Sequence, residues 1–135
     1  MKPSSLLLVP AILLVSSVPL CAGEYSVLKE EIATARKALV TLVLHRDKRG
    51  PDQQKLVKDT ADAVSAHLAK LKAPVGKGPE FKELNETWAA FKATREKELV
   101  PAILAGEREK ADKIGTGIQK TRLDRMYALI GVIEK

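Results

Sequence analysis

From residue 24 onward, apolar residues recur at helical spacing. Over 24–48, Leu28, Ile32, Ala35, Leu39 and Leu42 follow one another at steps of four and three, which predicts one helix with an inward seam. Arg49-Gly50-Pro51-Asp52 then interrupts the chain: Gly50 is placed to cap, Pro51 suits a first helical position, and Asp52 suits the positive end of the helix dipole. A second seam, Val57, Ala61, Val64, Leu68 and Leu71, stops near Lys72, ahead of Pro74, Gly76 and Gly78. Gly78-Pro79-Glu80 repeats the start signal, and Phe81, Leu84, Trp88 and Phe91 line a third helix. In its last part Pro101 should remove a backbone bond and kink it, and Gly106 should close it in the left-handed conformation. A fourth helix is expected from about Glu107 to the end, with Ala111, Ile114, Ile118, Met126, Leu129 and Ile133 as its inner stripe and a register drift between Ile118 and Met126.

Helices of about 22 to 29 residues are roughly 33 to 43 Å long at 1.5 Å per residue, so the four match one another. Short connections at 49–51, 73–78 and 106 then predict an all-α fold, an up-down-up-down antiparallel four-helix bundle over residues 24–135.

The first 22 residues differ from all that follows. Lys2, an apolar run from Leu6 to Leu20 and the small residues Cys21, Ala22 and Gly23 form a signal-peptide pattern, with cleavage after Ala22 or Gly23. The run has 15 positions including Pro10 and Pro19, fewer than the roughly 20 that a spanning helix needs. Export to the periplasm is therefore expected. Acylation at Cys21 is the alternative, although Leu20 is bulkier than the small residue that a lipoprotein signal has there.

Composition narrows the chemistry. The 135 residues suit one domain, 45% hydrophobic and 30% charged, too apolar for a disordered tail and too charged for a polytopic membrane protein. Only 4% is aromatic, which favours helices over sheets. A single cysteine, Cys21, excludes an internal disulfide framework and a CxxCH haem attachment. The net charge of +6 suits anionic ligands or lipid head groups, while export makes nucleic acid the least favoured partner.

The first helix is apolar nearly all round, because Ala38, Leu39, Val40, Leu42, Val43 and Leu44 surround the cylinder. A second surface should cover it, either a twin copy in a two-fold homodimer or broad contact with helices 2 and 4. Arg95 falls four residues after Phe91 and Arg122 four after Ile118, so both point to the core or its rim; Arg36 stands beside the first seam. Such guanidinium groups call for carboxylate partners or an anionic ligand. The readings are a pocket for a small carboxylate, or snorkelling and local pairs such as Arg95 with Glu98 and Arg122 with Asp124 or Asp112. Gly115-Thr116-Gly117 inside the fourth helix costs about 1 kcal/mol per glycine, offset by a close helix crossing or by exposing backbone and the Thr116 hydroxyl to a ligand. His45 and His67 are too far apart in the expected fold to share a metal site, and no Glu-x-x-His pair, Gly-x-Ser-x-Gly turn or isolated carboxylate pair is present. No catalytic residue, metal site or cofactor is expected, and Asn85-Glu86-Thr87, a glycosylation sequon in mid-helix, reads as accidental.

The segment LNETWAAFKATREKELVPAILAGEREKADKIGTGIQKTRLDRMYALI, from Leu84 to Ile130, resembles the second half of the four-helix-bundle sensor domain of methyl-accepting chemotaxis receptors, and ATARKALVTLVLHRD resembles that family's first helix. The resemblance implies a periplasmic domain that dimerises through its first helix and binds small amino or organic acids near that interface. It implies ligand contacts at Arg36 and Thr116, and a membrane-protein signalling partner. Val40 stands where a second arginine would follow Arg36, and no transmembrane helix or signalling hairpin follows Ile130, so a free-standing sensor or binding module is the form implied. Pro79-Glu80-Phe81-Lys82, Gly106-Glu107 and Thr121-Arg122 are also similar to small soluble periplasmic cytochromes b, another bundle, but Met126 stands where that family's axial histidine would be. A structural or adaptor bundle is the remaining alternative.

Overall fold

A computed structural model describes residues 22–135; the signal-peptide and Cys21 acylation expectations fall on residues 1–21, outside the described residues. Four helical rods and no strand make up the described chain. The first rod is α1 (Ala22–Leu44) and the second α2 (Pro51–Lys70), joined through a 3-10 turn at Arg46–Lys48. The third contains α3 (Gly78–Thr94), a π turn (Arg95–Leu99) and α4 (Val100–Leu104); the fourth contains α5 (Arg108–Thr116) and α6 (Ile118–Ile133).

α1 stops at Leu44, short of the expected residue 48, because Arg49 folds back over its end. The Arg49 guanidinium donates to the carbonyls of Leu42 (2.8 Å) and Val43 (3.0 Å), and across the bundle to Ile103 (3.1 Å). Last-turn carbonyls lack intrahelical donors, so a cation there meets both their hydrogen-bonding need and the negative end of the dipole. α2 begins as expected, with Gly50 as cap and Pro51 in the first turn. Three side chains tie α1 to α2 and the segment just after it: Tyr25 Oη donates to the Lys72 carbonyl (3.0 Å), His67 Nδ1 meets Glu31 Oε2 (2.7 Å), and Gln53 Nε2 donates to the Ala38 carbonyl (2.9 Å).

Pro101 disturbs the third rod, though upstream of where a simple kink would fall. Proline has no N–H for the ladder and its ring crowds the carbonyl four residues back. The backbone absorbs this in the preceding turn, where the Val100 N–H reaches the Arg95 carbonyl, a five-residue bond. The rod ends at Gly106, whose φ of 74° permits the Gly106 N–H to reach the Ile103 carbonyl (3.1 Å) and the Glu107 N–H to reach that of Ala102 (2.9 Å).

The fourth rod corrects the expectation of one continuous helix. Gly117 has φ −92° and ψ −109°, outside helical geometry, and divides α5 from α6. Ile118, expected in the inner stripe, is 49% exposed; Gln119 and Leu123 are buried instead. The register drift in the sequence is thus a backbone break. Two apolar clusters result, a larger one containing Ile32, Trp88 and Met126 and a smaller one containing Leu42, Leu99 and Ile103.

Surface ion pairs flank the rods. Lys58 and Lys92 hold the Asp62 carboxyl below its ordinary range, and Arg125, paired with both oxygens of Glu83 (2.7 and 2.8 Å), does the same to Glu83. Carboxylates that release protons more readily when folded stabilise the fold above their unfolded pKa, and that contribution fades as pH falls through the folded value. Exposure keeps it small.

Two substitutions separate the roles of the glycines. A Cβ at Gly115 meets nothing within 4 Å, whereas one at Gly117 falls 2.6 Å from the Lys113 carbonyl oxygen. Chemical denaturation should show Gly115→Ala stabilised by about 0.5–1 kcal/mol and Gly117→Ala destabilised by roughly 1–3 kcal/mol. Arg49→Ala should lose about 2 kcal/mol, read as a lower denaturation midpoint at unchanged slope.

Candidate binding cleft

Where α5 turns off the line of α6, a cleft of about 450 Å³ opens between α1 and the fourth rod. Its walls are mostly apolar: Leu39, Val40, Val43 and Leu44 from α1, Phe91 and Leu99 from the third rod, Ala111 and Leu123 from the fourth. Helical spacing accounts for the α1 wall, because positions 36, 39, 40 and 43 share one side of the cylinder. The volume is within the range of small-molecule sites, which are typically apolar with a few polar groups.

Polar side chains reach the cleft from Arg36, Asp112, Thr116, Gln119, Lys120, Asp124 and Tyr127. Most are already engaged. Lys120 pairs with Asp124 (2.6 Å), and Arg108 approaches Asp112 (3.8 Å). The Thr116 hydroxyl donates to the Asp112 carbonyl one turn back (2.6 Å). Gln119 is used at both ends: Nε2 donates to the Phe91 carbonyl (2.9 Å) and Oε1 accepts from Arg122 Nη1 (3.0 Å). Burial pushes the Tyr127 phenol up, with the Arg36 charge pulling the other way. Arg36 itself has no ion pair or hydrogen bond among the described residues, so a positive charge with free donors borders an apolar wall.

Of the four arginine and threonine positions singled out in the sequence, Arg36 and Thr116 come together at this cleft; Arg95 and Arg122 do not line it. Arg122 is half-buried and donates to Thr94 Oγ1 (2.8 Å) and Gln119, rather than to Asp124 or Asp112. Arg95 is fully buried, between Phe91 of the larger apolar cluster and Leu99 of the smaller. Its Nη2 donates to the Val57 carbonyl (2.9 Å), while Nε and Nη1 find no acceptor among the described residues. Loss of hydration pushes its pKa down to about 10, partly opposed by Glu96, so the group remains a cation at neutral pH. Glu98, the sequence-level partner, is exposed.

Gln119 and Arg49 escaped the sequence reading. A straight fourth helix put Ile118 inside and hid Gln119; the Gly-Thr-Gly string was the signal for the break. Met126, the residue in the place of an axial haem ligand, is fully buried in the larger cluster. Among the described residues, no group of three or more His, Cys, Asp and Glu side chains is placed to hold a metal ion.

A second cleft of about 440 Å³ adjoins the first at the loop end of the bundle. It shares Val43, Leu44, Ala111 and Asp112 with the first and adds Arg46, Arg49 and Arg108. The trough along α1 therefore runs from one arginine toward three more.

Arg95→Met tests whether the buried cation is structural ballast. Replacing a buried, poorly paired charge by an apolar chain of similar length should leave stability unchanged or raise it by up to about 3 kcal/mol in urea denaturation. A loss of that size would instead assign the guanidinium a stabilising role.

Comparison of the chain with protein-family models, with curated proteins and with solved structures finds no match.

Proposed function

We propose that this chain is a non-enzymatic binding module of the periplasm, an up-down-up-down antiparallel bundle that takes a small organic anion into the cleft between α1 and the fourth rod. The observation that carries this reading is the unpaired Arg36 guanidinium beside an apolar wall. Arg36 is exposed, so water meets its charge and donors in the free chain, and an anionic ligand held against the apolar wall would supply a countercharge and acceptors in water's place. Support for the topology comes from end-to-end pairings: Tyr25 with Lys72, Ser26 Oγ with Glu134 Oε1 (2.9 Å), Arg125 with Glu83 and Gln119 with Phe91. The first three join the early part of one rod to the late part of another, and Gln119 and Phe91 meet near the middle of theirs.

The reading extends to a two-fold dimer through α1 and a membrane-protein signalling partner, as in the chemoreceptor sensor domains that the sequence resembles. Val27, 49% exposed on α1 and outside the cleft lining, is apolar surface that a twin copy would cover. No helix among the described residues is long and apolar enough to cross a membrane, so signal transfer in this reading passes through a separate protein.

Titration calorimetry with a panel of organic acids tests the proposal. A bound acid should lose roughly 10- to 100-fold in affinity in Arg36→Gln, the size expected for hydrogen bonds to a charged group, with an unchanged melting temperature. Arg125→Gln, away from the cleft, should bind as the wild type does. A chain that binds no acid in the panel is an adaptor bundle, and the proposal fails.

A further inference from the structure

The cleft is more apolar than a short polyanionic acid needs. A second carboxylate beside Arg36 would meet Leu39, Val43, Phe91 or Leu123, or the carboxylates of Asp112 and Asp124. Lys120 offers little relief, because Asp124 already holds it. One anionic head and a long apolar body therefore suit this lining. Eight residues of α1 separate Arg36 from Leu44, a span of about 12 Å and thus the reach of an extended chain of about ten carbons. Beyond Leu44 the lining changes, since the adjoining cleft brings in Arg46, Arg49 and Arg108. A longer tail would push methylenes against guanidinium groups.

We infer that the occupant is a single-chain amphiphile: a medium-chain monocarboxylic acid, with its carboxylate on Arg36 and its hydrocarbon tail along Leu39, Val40 and Val43. This rests on the reading of the cleft as an anion-binding site and specifies its ligand class. The head provides orientation through Arg36, and the tail provides most of the affinity by leaving water. Length selectivity follows from the arginines at the far end.

Straight-chain saturated acids of four to sixteen carbons, titrated calorimetrically below their micelle thresholds, test the inference. Affinity should rise about fourfold per methylene up to about ten carbons and then level off or fall. Val43→Asp, at a position 37% exposed and so tolerant of charge, should flatten that slope; Arg36→Gln should weaken every acid by a similar factor and keep the slope. Primary alcohols of the same lengths should bind more weakly with the wild-type slope. Acids that bind with no dependence on length overturn the amphiphile and leave the organic-anion reading intact. Absence of binding at every length overturns the amphiphile, and absence of binding across the organic-acid panel as well overturns both. A lysophosphatidic acid of matched chain that binds tighter than the free acid assigns the head site to phosphate lipids and overturns the carboxylic acid. Val43→Asp that dissociates a dimer, with no competition by any acid, assigns the trough to a second copy and overturns the ligand.

Discussion

Gly117 is the constraint on which the shape of the fourth rod depends. A continuous fourth helix would carry Ile118 inward and seat the whole rod against its neighbours along one seam. With the backbone broken at Gly117, α6 packs on α3 through Leu123, Met126 and Gln119, while α5 takes its own direction over α4. The space left beside α1 is the cleft. Apolar side chains such as Val43 and Leu44 remain accessible along it. The break is compatible with folding because Gly117 has no Cβ to press on the Lys113 carbonyl.

Arginine has three different roles in this small bundle, and environment separates them. Arg49 is spent on backbone carbonyls, closing α1 and linking it to the third rod through Ile103. Arg95 is sealed between the two apolar clusters, at the first position of the π turn that accommodates Pro101, with the Val57 carbonyl as its one acceptor among the described residues. Arg36 keeps its donors. The first two guanidinium groups make their hydrogen bonds within the chain, and the third stands exposed at an opening with no ion pair or hydrogen bond among the described residues.

The cleft's electrostatics point the same way. Acidic and basic groups along its rim largely neutralise one another, as Lys120 with Asp124 and Arg108 with Asp112. Local pairs of this kind stabilise little when exposed, but they remove charge from the list of groups a ligand can use. What remains is an apolar trough with Arg36 at one end and Arg46 past the other. Such an arrangement favours recognition by shape and apolar area, with one polar contact setting the direction.

Much of the architecture was legible in the chain. The seams of α1, α2 and α3 were plain from their spacing, because burying one face of a helix demands apolar residues at steps of three and four, and Leu28, Ala61 and Leu84 are wholly buried. Gly50-Pro51, Gly78-Pro79 and Gly106 marked boundaries because their backbone preferences are local. Arg36 and Thr116 were also picked out, and the resemblance to chemoreceptor sensor domains implied a shared ligand for them; both line one cleft. Tertiary structure alone decided the rest: that the Gly-Thr-Gly string breaks the fourth rod, that Arg95 lies sealed away while Arg36 remains free, and that Arg49 crosses to Ile103. These outcomes depend on which side chains compete for the same carbonyl or the same volume, a contest between residues far apart in the chain. Periodicity records which face of a helix is buried; it carries no record of what that face is buried against.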